Sequence, residues 1–172
     1  MKKNIILIGF MGVGKGTTAR AYADKYKYFN IDTDDLIESK ANNKIKNIFL
    51  EKGEKYFREL EQDCADWIEN SVDTSLISCG GGFYNVKNIN ALGTVVLLDA
   101  SYDWIFNRLS TAENAKAKLK KRPLFSEPKK AMKLYKERQV GYKKVADITI
   151  SVENKDLTTI IKEIHKKTKN KQ

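Results

Sequence analysis

Short runs of apolar and β-branched residues alternate along this chain with longer stretches in which apolar positions recur every three or four residues. Residues 5–8, 29–31, 75–79, 94–98 and 147–152 read as five strands. Helical spacing fills 15–26, 34–40, 44–52, 54–70, 86–92, 101–110, 127–143 and 156–168. Such alternation predicts an α/β fold, a parallel sheet flanked by helices on both faces with ligands outside the carboxyl ends of its strands. Residues 1–172 suit a single domain that buries roughly two-thirds of the surface its unfolded chain would expose. One segment, about 111–124, breaks the pattern and reads as a polar helix or a mobile flap.

Charge and cysteine content narrow the function classes. The net charge of +10 would fit nucleic acid or an anionic substrate, but the positive charge is scattered and concentrates only at 116–121 and 162–171. Solvated helix faces and a frayed tail account for most of it, so no nucleic-acid partner is expected. Against 27 lysines stand five arginines, Arg20, Arg58, Arg108, Arg122 and Arg138, each a candidate for a place where a planar fork of donors is needed. Cys64 and Cys79 show no metal-type spacing and are too few for a disulfide framework, which points to a reduced cytoplasmic protein. No apolar run reaches the roughly 20 residues of a membrane span. The Met1-Lys2-Lys3 start and the apolar residues after it mimic a short secretory signal, yet cleavage near residue 21 would discard the lysine of the motif described next, and export is not expected.

That motif is GFMGVGKGT at 9–17, a glycine-rich turn between a strand and a helix. Glycines 9, 12 and 14 allow the backbone to turn its N–H groups inward, the helix N-terminus adds partial positive charge, and Lys15 adds a full one. Strand, turn, lysine and helix in this order suit the β- and γ-phosphates of a nucleoside triphosphate.

Three further clusters lie at strand ends or on helices. Asp32-Thr33-Asp34 closes the second strand, with room for one metal-proximal acid and one substrate-facing acid; capping of the next helix by Asp34 or Asp35 is the competing reading. The third strand ends without an acid, so Asp32 becomes the candidate for Mg²⁺, directly or through water. Gly80-Gly81-Gly82 marks a bend or a close approach of backbone to ligand. Arg58 and Glu61 share a helix face beside Phe57, able to hold a polyhydroxylated anion or to form a plain surface ion pair. On the flap, Arg122 precedes Pro123 and is placed to meet a transferring phosphate; Arg108 is placed to stack on a base or to lie on a helix surface.

Taken together, GFMG-x-GK, Asp-x-Asp, Phe-Arg-x-x-Glu, Gly-Gly-Gly, Arg-Pro-Leu and Glu-Arg occur in the order found in shikimate kinases, and the chain resembles that family from about residue 4 to the helix near 165. The resemblance implies a P-loop kinase fold with sheet order 2-3-1-4-5, a substrate-binding helical region at about 32–61 and a mobile lid at about 111–124. It also implies a monomer that moves the γ-phosphoryl of ATP to the 3-hydroxyl of shikimate, with Mg²⁺, on the route to chorismate and aromatic amino acids. Gly12, Val13, Gly14, Lys15, Gly16, Thr17 and Thr18 would line the ATP phosphates, with Arg108 near adenine and Arg122 closing over them. Asp34 would bind the reacting hydroxyl, Arg58 and Arg138 the carboxylate, Glu61 the ring, and Gly80, Gly81 and Gly82 the ring hydroxyls or phosphate. Lys15, Asp34 and Arg122 would be catalytic, and Asp32 would lie near the metal. Gly16 departs from the pattern, standing where the family has a metal-ligating hydroxyl, which leaves Thr17 as the other metal candidate. Cys79 and a long Arg108–Arg122 interval also depart. A gluconate-type or nucleotide kinase on the same scaffold is the rival enzyme reading, and a nucleotide-binding module without catalysis the non-enzymatic one.

Overall fold

The computed structural model describes residues 3–111, 125 and 127–171. Five parallel strands, β1 (Ile5–Ile8), β2 (Phe29–Asp32), β3 (Ser75–Ser78), β4 (Thr94–Asp99) and β5 (Ile148–Ser151), form one sheet in the order β2-β3-β1-β4-β5. β1 sits at the centre, with Ile5 opposite both Leu76 and Thr94. The residues of β1 and β3 are buried throughout, as continuous apolar runs in a parallel sheet require, while β2 and β5 form the more exposed edges.

Among the described residues six α-helices connect and cover the sheet: α1 (Lys15–Tyr26), α2 (Thr33–Ala41), α3 (Ile45–Ser71), α4 (Tyr102–Ser110), α5 (Pro128–Val145) and α6 (Leu157–Lys169). α1 packs on β2, β3 and α6, while α5 packs on β4. α3 is two helices in line, interrupted where Gly53 takes φ 80° and ψ 174°. A positive φ with extended ψ is a conformation reserved almost wholly for glycine, so this residue sets the break expected between 52 and 54. In contrast, the helix expected at 86–92 is absent. Val86, Ile89 and Leu92 are buried at a spacing of three, but two short 3₁₀ turns, Phe83–Asn85 and Ile89–Ala91, produce it.

Ahead of β1, Asn4 joins the three central strands. Its wholly buried amide donates to the carbonyls of Val72 (3.0 Å) and Leu92 (2.9 Å) and accepts from the Ser75 N–H (3.0 Å). Replacement by alanine removes three buried hydrogen bonds that tie the chain ahead of β1 to the segments leading into β3 and β4. Asn4→Ala is therefore expected to lose about 2 to 4 kcal/mol in urea unfolding, with kcat unchanged in the fraction that remains folded.

Candidate active site

The phosphate loop joins β1 to α1. Gly14 is the N-cap of α1 at φ 108°, a left-handed position that lets the chain turn from the loop into the helix with its first N–H groups facing outward. Val13 is buried and spends its N–H on the Phe10 carbonyl (3.2 Å), tightening the turn. Thr17 is exposed on the first turn of α1, whereas Thr18 is buried and its N–H bonds to the Gly14 carbonyl (2.9 Å). Lys15 folds back across the loop, donating to the carbonyls of Gly9 (2.8 Å) and Phe10 (3.3 Å). Arg108, from α4, lies over the same loop, donating to the Gly12 carbonyl (2.6 Å) with its guanidinium 4.9 Å from the Trp104 ring centre.

Beside this loop, β2 and β3 end together. Helix α2 begins at Thr33, so only Asp32 closes the strand, and Thr33 and Asp34 belong to the helix. Asp32 is the N-cap, its Oδ1 accepting from the Asp34 N–H (3.0 Å), and neither Asp34 nor Asp35 fills that role. Thr33, between them, is wholly buried and its Oγ1 accepts from the Gly80 N–H (2.9 Å). Asp34 is thereby held in the first turn of α2, facing the glycine run.

The three glycines form the floor of the cleft, and each lies under a different charged side chain. A Cβ on Gly80 would run into the Asp34 carboxylate, one on Gly81 would lie 2.7 Å from Arg138 Nη1, and one on Gly82 would run into the Arg58 guanidinium. Only glycine allows all three approaches. Arg58 is gripped by Glu61 (2.6 Å) and Glu54 (2.7 Å), and Glu61 is itself only 2% exposed. Arg138 makes no ion pair among the described residues, which leaves a fork of donors open to an anion. Phe57 stacks under Arg58 and against Phe49, giving the cleft an apolar wall.

Two of these groups are held away from their ordinary ionisation. Burial, and then repulsion from Asp32, raise the Asp34 carboxyl to about 6 against the attraction of Lys15. Lys15 is lowered to about 8 by burial, opposed by Asp34, Cys79 and Asp32. The consequence for stability follows from linkage. Asp34 with its raised pKa stabilises the fold only at acid pH, and that contribution is lost as pH rises through about 6. Lys15 with its lowered pKa stabilises only at alkaline pH, and its contribution is lost as pH falls through about 8. Near neutrality both charges are held at a cost to the ligand-free fold, as expected of groups placed for a ligand. Burial likewise raises the Glu61 carboxyl, against the pull of Arg58, and pushes the Cys79 thiol well up, so Cys79 is neutral packing beneath Lys15.

Lys15, Asp32, Asp34, Arg58, Glu61, the three glycines and Arg138 thus come together, with Arg108 on the loop's other side. Arg122 and the rest of the segment expected as a lid, apart from Thr111, lie outside the described residues.

The family model for shikimate kinase matches residues 11–169. The chain belongs to the shikimate kinase family. A shikimate kinase of Sulfurihydrogenibium sp. is 40% identical over 172 residues, covering 97% of this chain and 98% of the relative. That of Helicobacter hepaticus is 40% identical over 149 residues, covering 87% and 86%. Among solved structures, shikimate kinase from Aquifex aeolicus has a TM-score of 0.76 at 31% identity, covering 98% of this chain and 97% of that one. Shikimate kinase from Acinetobacter baumannii, solved in complex with shikimate, has a TM-score of 0.78 at 26% identity, covering 100% and 96%. Family membership makes the chain an ATP-dependent kinase with a P-loop fold, and its activity that of a shikimate kinase.

Two residues of the site escaped sequence reasoning. Thr33 was passed over between two acids, and Tyr142, whose hydroxyl donates to the Gly81 carbonyl (2.6 Å), lies one helical turn beyond Arg138 on the same face of α5. The spacing of four from Arg138 was the available signal.

Proposed function

We propose the following division of labour for transfer of the γ-phosphoryl of ATP to the 3-hydroxyl of shikimate. The loop from Gly12 to Thr18 and Lys15 hold the phosphates, with Arg108 flanking the loop. Arg138 and Arg58 take the shikimate carboxylate, Glu61 fixes Arg58, and the backbone of Gly80–Gly82 meets the ring. Asp34 orients the 3-hydroxyl and receives its proton as the hydroxyl oxygen bonds to the γ-phosphorus and ADP departs. The observation that carries this reading is the placement of Asp34, Arg138 and Arg58 over three consecutive glycines, which gives one cleft a base, an anion fork and a close backbone floor. Product analysis by ³¹P and ¹³C NMR tests it: a phosphomonoester on carbon 3 of shikimate is expected, and phosphate on any other oxygen overturns the orientation given to Asp34. Arg122 is proposed to close over the phosphates.

The donor set near the loop fits Mg²⁺ bound largely through phosphates and water. Among the described residues no cluster of three acidic, histidine or cysteine side chains could hold a metal, and Asp32 already accepts from Asp34 N–H. Asp32 would hold the ion through water, with Thr17 the alternative donor, and the ion would neutralise phosphate charge. Gly16 has ordinary helical φ, and a Cβ there would meet only Arg20 Nη1, at 3.4 Å. Gly16→Ser is accordingly expected to lower the Mg²⁺ needed for half-maximal rate several-fold, a gain of about 1 kcal/mol, and to tighten Mg²⁺-dependent ATP binding in calorimetry. An unchanged or higher Mg²⁺ requirement contradicts this.

We also place the enzyme in the cytoplasm as a monomer. Two buried free thiols support the first.

A further inference from the structure

Helix α5 supplies Arg138, whose long side chain would lose considerable rotational freedom on binding a carboxylate unless something already holds it. Two other guanidinium groups among the described residues are held by acids or backbone: Arg58 by Glu54 and Glu61, Arg108 by the Gly12 carbonyl. Arg138 makes no ion pair among the described residues, although Glu61 attracts it from beyond ion-pair distance. One turn further along α5, Tyr142 is wholly buried, and its hydroxyl donates to the Gly81 carbonyl at 2.6 Å. A point one bond out from the Gly81 backbone is 2.7 Å from Arg138 Nη1 and 3.8 Å from the Tyr142 hydroxyl, so both tips share the space above that glycine. The Tyr142 ring is fixed edge-on against Tyr84 (4.8 Å between centres, 69°), and Gly141 lets Tyr84 approach the helix backbone.

A buried phenol needs partners for both its donor and its acceptor. The donor goes to Gly81, and the guanidinium, which has only donors to offer, is the complement of the free lone pair. We propose that Tyr142 is a positioning residue, which ties the Arg138 guanidinium to the glycine floor and so presets the fork that receives the substrate carboxylate. It acts through Arg138 and not on the reacting atoms, and the inference rests on the assignment of Arg138 to the carboxylate. An anchor on the backbone carbonyl also couples the two halves of the cleft. Gly80 is pinned on one side by Thr33 and Gly81 on the other by Tyr142, so the floor and the fork move as a unit.

The test is a double-mutant cycle on shikimate affinity with Tyr142→Phe and Arg138→Ala. Tyr142→Phe keeps the ring and its contact with Tyr84 and deletes one oxygen. In the wild-type background it should raise shikimate KM about ten- to a hundredfold, roughly the worth of one hydrogen bond to a charged group, with KM for ATP unchanged. In the Arg138→Ala background it should raise shikimate KM no further. An equal rise in both backgrounds, or a parallel rise in KM for ATP, would reduce Tyr142 to packing and overturn the proposal. A normal shikimate KM in Tyr142→Phe alone overturns it while leaving the Arg138 assignment intact, whereas a normal KM in Arg138→Ala alone overturns both. A mutation-free measurement stands beside the cycle: in the NMR spectrum of the unaltered protein, the Tyr142 hydroxyl proton should be protected from exchange and show a cross-peak to the Arg138 guanidinium. Absence of that cross-peak counts against the proposal independently of how well the variants fold.

Discussion

Asp34→Asn is expected to lower kcat by about 10²- to 10⁴-fold, the range for loss of a positioned acid–base group, while stabilising the ligand-free protein at neutral and alkaline pH. Both effects come from one carboxylate. Burial and Asp32 hold the Asp34 carboxyl near 6, so the charged form needed to receive a proton is disfavoured by the fold and favoured only by the reaction. In the wild-type enzyme, kcat/KM for shikimate should therefore fall as pH drops through about 6, and the variant should lack that limb. For stability the sign is opposite to that of an ordinary salt-bridged acid. Ionised Asp34 penalises the folded state above about pH 6, so the asparagine variant should melt at a higher temperature than wild type at pH 8, and the gap should shrink towards pH 4. A variant less stable at pH 8, or one that retains the acid limb, would mean that Asp34 is paired and structural.

The second large effect is on substrate binding. Arg138→Lys keeps the charge and most of the length but replaces a planar fork by a single ammonium. Shikimate binding should weaken by about 1.5 to 3 kcal/mol, the range for a charge-assisted hydrogen bond, with ATP affinity nearly unchanged. Arg58 is a poorer target for this test, because Glu61 and Glu54 already engage its Nε, Nη1 and Nη2 and leave only part of the fork to a substrate, and its removal would leave the 2%-exposed Glu61 as an unpaired buried acid. Calorimetry with shikimate decides the matter, and an unaltered affinity would remove Arg138 from the site.

The strands and most helices were legible because each depends on a local pattern. Apolar runs in a parallel sheet need no partner to be recognised, and Gly53 marks its own break through its lack of a Cβ. The 86–92 segment misled because a buried residue at every third position satisfies a 3₁₀ turn as well as an α-helix. Within the site, the phosphate loop, the acids and the arginines carry type and spacing that reveal their chemistry. The residues that hold them in place do not. Thr33 meets Gly80 across 47 positions and Tyr142 meets Gly81 across 61, and a threonine or tyrosine by itself says nothing about which distant backbone group it will bind. Asn4 is the same case: its polarity suggests a loop, and only the closed sheet shows it buried between three strands. In the Asp32-Thr33-Asp34 segment the acids are conspicuous in the sequence and the backbone is not, because a helix that starts at the second of three residues turns the two acids into a cap and a first-turn side chain.

Selection of a hydroxylated carboxylate by the glycine-floored cleft, and its presentation to ATP on the phosphate loop, is the central claim. ADP release measured with shikimate, gluconate and nucleoside monophosphates side by side tests that claim most directly. Turnover with shikimate alone, abolished when Mg²⁺ is withheld, is the predicted result; faster turnover with gluconate or a nucleoside monophosphate, or none with shikimate, would contradict it.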